Sequence, residues 1–102
     1  MSTQTENRST ILRSLSEHLP GLRKRYAVRT LALFGSAARD ELRPQSDVDV
    51  LVEFDGPATY SRYFNLKDEL ETLLGRRVDL VTLGGLKPRA RRHVEEELIR
   101  VA

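Results

Sequence analysis

Residues 35–54 read GSAARDELRPQSDVDVLVEF, in which a glycine-serine pair and an Asp-x-Asp motif are separated by ten residues. Asp47 and Asp49 alternate with valines, which predicts a strand that ends at the Asp55-Gly56-Pro57 turn. Residues two apart on a strand point the same way, so both carboxylates are expected on one face, roughly 7 Å apart at the backbone. Because carboxylates this close repel each other, the pattern favours a bound divalent cation, and hard oxygen ligands suit Mg²⁺ or Mn²⁺ rather than zinc.

The glycine-serine pair follows a short apolar run, Val28 to Phe34, which is typical of a buried strand, and precedes a short predicted helix. Backbone N–H groups at such a strand-to-helix turn favour an anion. Gly35 lets a phosphate approach the backbone, and the Ser36 hydroxyl can donate to it. Arg39 lies one turn further on, within reach of the same phosphate, and Ser46 lies immediately before the acid pair. The sequence therefore predicts a phosphate-binding turn beside a metal-binding pair.

A third acid, Asp79, lies inside the apolar run 77–83, which also predicts a strand. It is a candidate third metal ligand, or the base that accepts a proton from a hydroxyl group. Each motif alone has an ordinary structural explanation, such as a helix cap or a paired strand residue. Their combination on three successive strands is what indicates a site.

Apolar spacing predicts helices on both sides of this segment. The first helix is expected to end near Pro20–Gly21, and the next one to run from about Ser61 to Leu74 with Gly75 as its cap. A last helix is expected from Pro88 to Val101, with residues 95–97 largely facing solvent. The fold class is therefore α+β, with a small mixed sheet of three or more strands flanked by about four helices.

Composition sets the limits on this chain. Its 102 residues, 39% hydrophobic and 31% charged, suit a single globular domain over residues 1–102, with about residues 1–7 disordered. The absence of cysteine excludes disulfides and thiolate zinc sites. No apolar run is long enough for a signal peptide or a membrane span, so we expect a soluble cytoplasmic protein.

With these motifs, residues 35–54 resemble the signature of the DNA polymerase β-type nucleotidyltransferase superfamily, including its later single aspartate, which Asp79 matches. The short chain and its final segment LKPRARRHVEEELIRVA, residues 86–102, narrow the resemblance to the minimal nucleotidyltransferase (MNT) antitoxins, which pair with HEPN-domain RNase toxins. The resemblance covers about Arg29 to Ala102. Asp40 departs from it, since many relatives carry glycine there, and we expect this to alter the helix surface rather than the metal site.

The resemblance implies roles for the motif residues. Asp47 and Asp49 would hold two Mg²⁺ ions, Asp79 would complete the catalytic and metal-binding triad, and Gly35 and Ser36 would hold the nucleotide phosphates. The implied activity is that of an antitoxin of a type VII-like HEPN/MNT system, which transfers AMP from ATP to a tyrosine of the toxin and silences its RNase.

Two alternatives to this activity stay open. The chain could neutralise a toxin by binding and occlusion alone, although the intact acid triad argues against that. It could instead act on RNA or on a small molecule of the aminoglycoside type. The basic segments 23–25 and 89–92 permit nucleic acid, but they lack interleaved aromatic residues, so nucleic acid is not expected as a direct substrate. A chain this short has no second domain to grip an acceptor, so we expect a partner toxin to supply it in a hetero-oligomer.

Overall fold

The computed structural model describes residues 7–101, which form four α-helices and one mixed four-stranded sheet. In chain order the elements are α1 (Arg8–Tyr26), β1 (Val28–Phe34), α2 (Gly35–Ala38), β2 (Val48–Phe54), α3 (Tyr60–Leu74), β3 (Val78–Thr82), a 3₁₀ turn (Leu83–Gly85), α4 (Pro88–Glu97) and β4 (Ile99–Arg100). The predicted α+β class, with a mixed sheet and about four helices, is confirmed.

The strands lie in the order β3-β2-β1-β4. β1 is antiparallel to both β2 and β4, whereas β2 and β3 are parallel and are joined by α3. The register places Phe34 opposite Asp49, and Asp49 opposite Asp79. Consequently the end of β1 and the beginnings of β2 and β3 meet at one edge of the sheet.

The core lies mainly between the sheet and the pair α1 and α3. Alternate residues of β2, Val48, Val50 and Val52, are fully buried against the leucines of these helices. The intervening positions of β2 face the other side, where Leu51 packs with Val94 of α4. Only this second face is left with room for polar groups near the start of β2, because α1 and α3 cover the first.

The first helix does not end at Pro20–Gly21, so that prediction is wrong. α1 continues to Tyr26, and Ala27 then closes it in a left-handed conformation, φ 56°. Pro20 removes one helical hydrogen bond, but its side chain is exposed, where water can satisfy the freed carbonyl. Leu22, beyond the proline, is fully buried, and its packing outweighs the local preference to stop.

The last helix is also shorter than predicted. α4 ends at Glu97, and Ile99–Arg100 form β4 on the free edge of β1. The N–H of Val101 then donates to the carbonyl of Leu31 at 2.8 Å. An unpaired strand edge offers a row of backbone donors and acceptors, so pairing there is preferred to a further helical turn. This change of direction brings the end of α4 to the strand ends at which the acids lie.

The ends of the chain are only partly described. Residues 1–6 and 102 lie outside the described residues, so most of the predicted disorder over residues 1–7 is not tested. Asn7 is described, and its side chain caps α1 by accepting a hydrogen bond from the N–H of Thr10 at 2.9 Å. From Asn7 to Val101, none of the helices combines the length and the apolar character that crossing a bilayer requires.

Candidate active site

The acids predicted from the sequence come together at the shared edge of β1, β2 and β3. Asp49 and Asp79 are register partners on neighbouring parallel strands, and Asp47 lies immediately before β2. Asp49 alternates with the buried valines, so it points to the sheet face on which α4 packs. The sheet thus holds two carboxylates side by side, with the third one residue outside it.

Asp49 carries the strongest electrostatic signal of the site. Its side chain is half-buried, and this desolvation is the main cause that raises its pKa from 3.8 to about 6. The charges of Asp79 and Asp47 raise the pKa of Asp49 further, as do its hydrogen bond with Asp79 and the charge of Glu97. The site therefore holds more negative charge than its surroundings neutralise.

Asp47 is turned toward a neighbouring cation. Its Oδ1 lies 3.2 Å from Nε of Arg77, whose side chain is 80% exposed. Within residues 7–101 no three His, Cys, Asp or Glu side chains are gathered closely enough to form a preformed metal site. An exposed ion pair of this kind is worth only about 0–1 kcal/mol, so Asp47 can leave Arg77 at small cost. The oxygen donors and the excess negative charge fit a hard cation such as Mg²⁺.

Gly35 lies directly against Asp49. It adopts φ 66°, and a Cβ built on it would lie only 2.2 Å from Oδ2 of Asp49. Any side chain added here would force the Asp49 carboxylate to move, and the left-handed backbone also favours glycine. The glycine is therefore needed for the approach of the turn to the carboxylate, in addition to the predicted approach of a phosphate.

Two predicted phosphate ligands, Gly35 and Arg39, both bind Glu97, which the helical pattern predicts to face solvent. The N–H of Gly35 donates to Oε1 of Glu97 at 3.0 Å, and Nη1 of Arg39 donates to Oε2 of the same carboxylate at 2.9 Å. Helical spacing carried a signal for this, because Glu97 lies three residues after the buried Val94 and thus on the same face of α4.

The two predicted serines lie close in sequence to these groups. Ser36 is half-buried in the first turn of α2. The Ser46 hydroxyl accepts a hydrogen bond from the N–H of Arg43 at 3.2 Å, within the turn that leads into β2. Nη1 of Arg76 donates to the carbonyls of Arg43 and Ser46 and holds the same turn. The assignment of both serines to a nucleotide stays a prediction.

Asp40 has a structural role away from the acids. It adopts φ 58°, a conformation that glycine takes without strain, which suits the glycine expected there from the family resemblance. Its Oδ1 accepts a hydrogen bond from the N–H of Arg8 at 2.9 Å, at the first residue of α1. The aspartate thus satisfies one of the free N–H groups of that helix.

Comparisons with known proteins agree with the motif. A family model described as a nucleotidyltransferase domain matches residues 15–101. The chain is 44% identical over 88 residues to a Methanocaldococcus jannaschii protein assigned as a protein adenylyltransferase. The aligned residues cover 85% of this chain and 90% of that protein. The chain is 40% identical over 87 residues to the protein adenylyltransferase MntA of Thermococcus cleftensis, with 85% and 88% covered.

Solved structures share the fold. One assigned as a minimal nucleotidyltransferase is 40% identical and superposes with a TM-score of 0.81, over 96% of this chain and 98% of that chain. A complex of a tri-AMPylated Shewanella oneidensis HEPN toxin with its MNT antitoxin superposes with a TM-score of 0.65, over 89% and 71% of the two chains. At 18% identity the second likeness concerns the fold alone.

Proposed function

Because the chain belongs to the nucleotidyltransferase domain family, we propose that it is an antitoxin that transfers AMP from ATP to a HEPN-domain toxin and thereby silences it. Relatives with 44% and 40% identity are named as protein adenylyltransferases, which supports a protein acceptor. The observation that carries the proposal is the contact of Gly35 with Asp49, beside Asp79. It joins a turn fit for phosphate to a pair of carboxylates.

The proposed reaction is a displacement at the α-phosphorus of ATP. An acceptor hydroxyl oxygen forms the new bond to phosphorus, and the bond to the bridging oxygen of pyrophosphate breaks, so pyrophosphate leaves with the electron pair. The proton of the acceptor passes to a carboxylate. Asp79 is exposed and next to Asp49, so it is the group best placed to accept that proton.

Mg²⁺ would be held by Asp47, Asp49 and Asp79. The family resemblance implies two such ions. When bound, the metal offsets the charge of the triphosphate and lowers the pKa of the acceptor hydroxyl. Besides desolvation, which is the main cause, the charges of Asp79 and Asp47 raise the pKa of Asp49. This repulsion supports the assignment, because carboxylates that repel one another gain from a cation. Asp47 would exchange its ion pair with Arg77 for the metal.

The phosphates would bind at the turn after β1. The N–H of Gly35 and Nη1 of Arg39 already bind one shared anion, the Glu97 carboxylate, while Nε of Arg39 binds Glu41. Ser36 and Ser46 are the neighbouring hydroxyl donors. The described residues form a single small sheet with four helices, and we propose that a partner supplies the acceptor.

We propose a tyrosine of the toxin as that acceptor, in a cytoplasmic hetero-oligomer. The structural neighbour described as a complex of a tri-AMPylated HEPN toxin with an MNT antitoxin supports a toxin that carries AMP. RNA and small molecules remain the alternative acceptors, and occlusion remains the alternative means of neutralisation.

Intact-mass spectrometry of the co-expressed toxin tests the proposal. After incubation with this protein, ATP and Mg²⁺, the toxin mass should rise in steps of AMP, and an Asp47→Asn, Asp49→Asn double variant should give no rise. Fragment spectra should place the label on tyrosine. An unmodified toxin that is nonetheless bound and inactive would establish occlusion, and label on RNA supplied as competitor would establish a nucleic-acid substrate.

A further inference from the structure

The carboxylate of Glu97 binds the two groups that the proposed function assigns to phosphate. One oxygen accepts from the N–H of Gly35 and the other from the guanidinium of Arg39, at 3.0 and 2.9 Å. Two oxygens on one centre, each bound by a separate donor, is also how these donors would bind a phosphate group. Glu97 therefore presents the same chemistry as the ligand for which the turn is suited.

The fold fixes Glu97 at this position. It is the last residue of α4, whose Val94 is buried against the sheet one helical turn earlier. Two residues later the chain pairs with β1, where Ile99 lies opposite Leu33. Anchored on both sides, the Glu97 side chain is only 24% exposed. The contact is thus part of the packed fold rather than a loose surface pair.

The same position is unfavourable for a negative charge unless the donors are present. Asp49 lies against Gly35, so Glu97 adds one more carboxylate to a site that already holds three. The contacts with the Gly35 N–H and with Arg39 offset this repulsion. Arg39 also binds Glu41 through Nε and can serve more than one anion, but the single N–H of Gly35 cannot bind Glu97 and a phosphate at once. A phosphate bound at that N–H would therefore meet Glu97 at close range.

We infer that Glu97 occupies the phosphate subsite of the nucleotide-free enzyme, and that the triphosphate must displace it to bind. This inference rests on the proposed function. Glu97 thereby lowers the affinity for nucleotide and makes binding dependent on movement at the junction of α4 and β4. If the Glu97 contacts only clamped α2 to α4, their loss would leave the affinity for nucleotide unchanged or lower it, instead of raising it.

Calorimetric titration of the full chain with α,β-methylene-ATP and Mg²⁺ tests the inference, since this analogue cannot lose pyrophosphate. Glu97→Gln keeps the shape of the side chain and removes its charge, so binding should become about three- to ten-fold tighter, equal to about 0.7–1.4 kcal/mol. Glu96→Gln is the matched control, because it removes the same charge from an exposed neighbour on α4 and should change the affinity less than two-fold.

Two further titrations locate the competition. Inorganic tripolyphosphate, which has no base or sugar, should gain affinity in Glu97→Gln by a similar factor. Glu97→Asp keeps the charge but shortens the side chain by one methylene, so its carboxylate reaches the Gly35 and Arg39 donors less well. This variant should therefore also bind the ATP analogue more tightly than the natural protein does.

Unchanged or weaker binding by Glu97→Gln, with normal binding by the natural protein, would overturn the inference and leave the proposed function intact. A natural protein that binds no nucleotide under these conditions would contradict both. Equal tightening in Glu96→Gln and Glu97→Gln would also reject the inference, because a general charge effect would then account for the result.

Discussion

Gly35 and Asp49 are so close that a methyl group on the glycine would overlap a carboxylate oxygen, 2.2 Å away. Gly35→Ala must therefore displace the Asp49 side chain in addition to adopting a left-handed backbone. Gly75→Ala is the matched control, because Gly75 has φ 65° and no heavy atom within 4 Å of an added Cβ. The two substitutions share the backbone strain and differ in the clash.

We expect Gly75→Ala to lower the free energy of unfolding by about 1 kcal/mol and Gly35→Ala by about 2–4 kcal/mol. Urea denaturation followed by circular dichroism measures both. Adenylyl transfer should survive in Gly75→Ala and be lost in Gly35→Ala. Equal losses of stability would mean that the Asp49 carboxylate can move aside freely.

The pKa of Asp49 gives the metal-free protein an unusual dependence on pH. Its value of about 6 is above the unfolded value of 3.8, so the folded state binds the proton more tightly and stability falls as pH rises through about 6. The lowered pKa values of Glu69 and Glu71 act in a lower range, below 4.5, and leave this window unaffected. With chelator present, melting temperatures should therefore be higher near about pH 5 than near about pH 8.

Asp49→Asn should remove most of the dependence of stability on pH and raise the melting temperature near about pH 8 by a few degrees. This rise corresponds to a gain in unfolding free energy of about 1 kcal/mol, which is small because solvent screens the half-buried Asp49. Asp55→Asn, at an exposed turn after β2, provides the control. Differential scanning fluorimetry across the range checks both. A slope that persists in Asp49→Asn would place its origin in another group.

Asp40 combines a left-handed backbone with a hydrogen bond to the N–H of Arg8. Asp40→Ala loses the acceptor and tolerates the backbone poorly, so it should cost about 1–2 kcal/mol of unfolding free energy. Asp40→Asn keeps an acceptor and adopts the same backbone readily, so it should cost less than about 0.5 kcal/mol. Asp40→Gly should lie between them, since it relieves strain but loses the bond.

Urea denaturation of the three variants checks this order. Nucleotide binding should be unaffected in each, because Asp40 contacts α1 and not the acids. Reduced binding in Asp40→Asn would instead show that the turn after α2 transmits its conformation to the phosphate-binding groups.

Much of the site was predictable because its information is local. The alternation around Asp47 and Asp49 and the apolar run before Gly35 each predict a strand by themselves, and β1 has the predicted bounds Val28–Phe34. Parallel pairing of β2 with β3 then brings Asp79 to the same edge. What the local pattern lacked was the contact of Gly35 with Asp49, because it depends on the register between strands.

The errors arose where tertiary packing overrides local preference. Pro20 is a sound local stop signal, and only the burial of Leu22 against the sheet extends α1 past it. A strand of two residues, Ile99–Arg100, has no periodicity to detect. Glu97 stands in a run of three identical residues, so composition cannot distinguish it, and its role follows from the place where α4 ends.

The proline within α1 has a consequence for the order of folding. Pro20 lacks the N–H that would bond to the carbonyl of Ser16, so one hydrogen bond fewer joins the turns beyond it to the rest of α1. These turns therefore gain little stability until Leu22 packs on the sheet. By contrast α3, capped by Thr59 and Gly75, has no such interruption. In stopped-flow kinetics Leu22→Ala should therefore mainly accelerate unfolding, with a φ-value near zero, whereas Leu70→Ala should also slow refolding. The end of α1 is thus expected to be the last part of the core to form and the first to open.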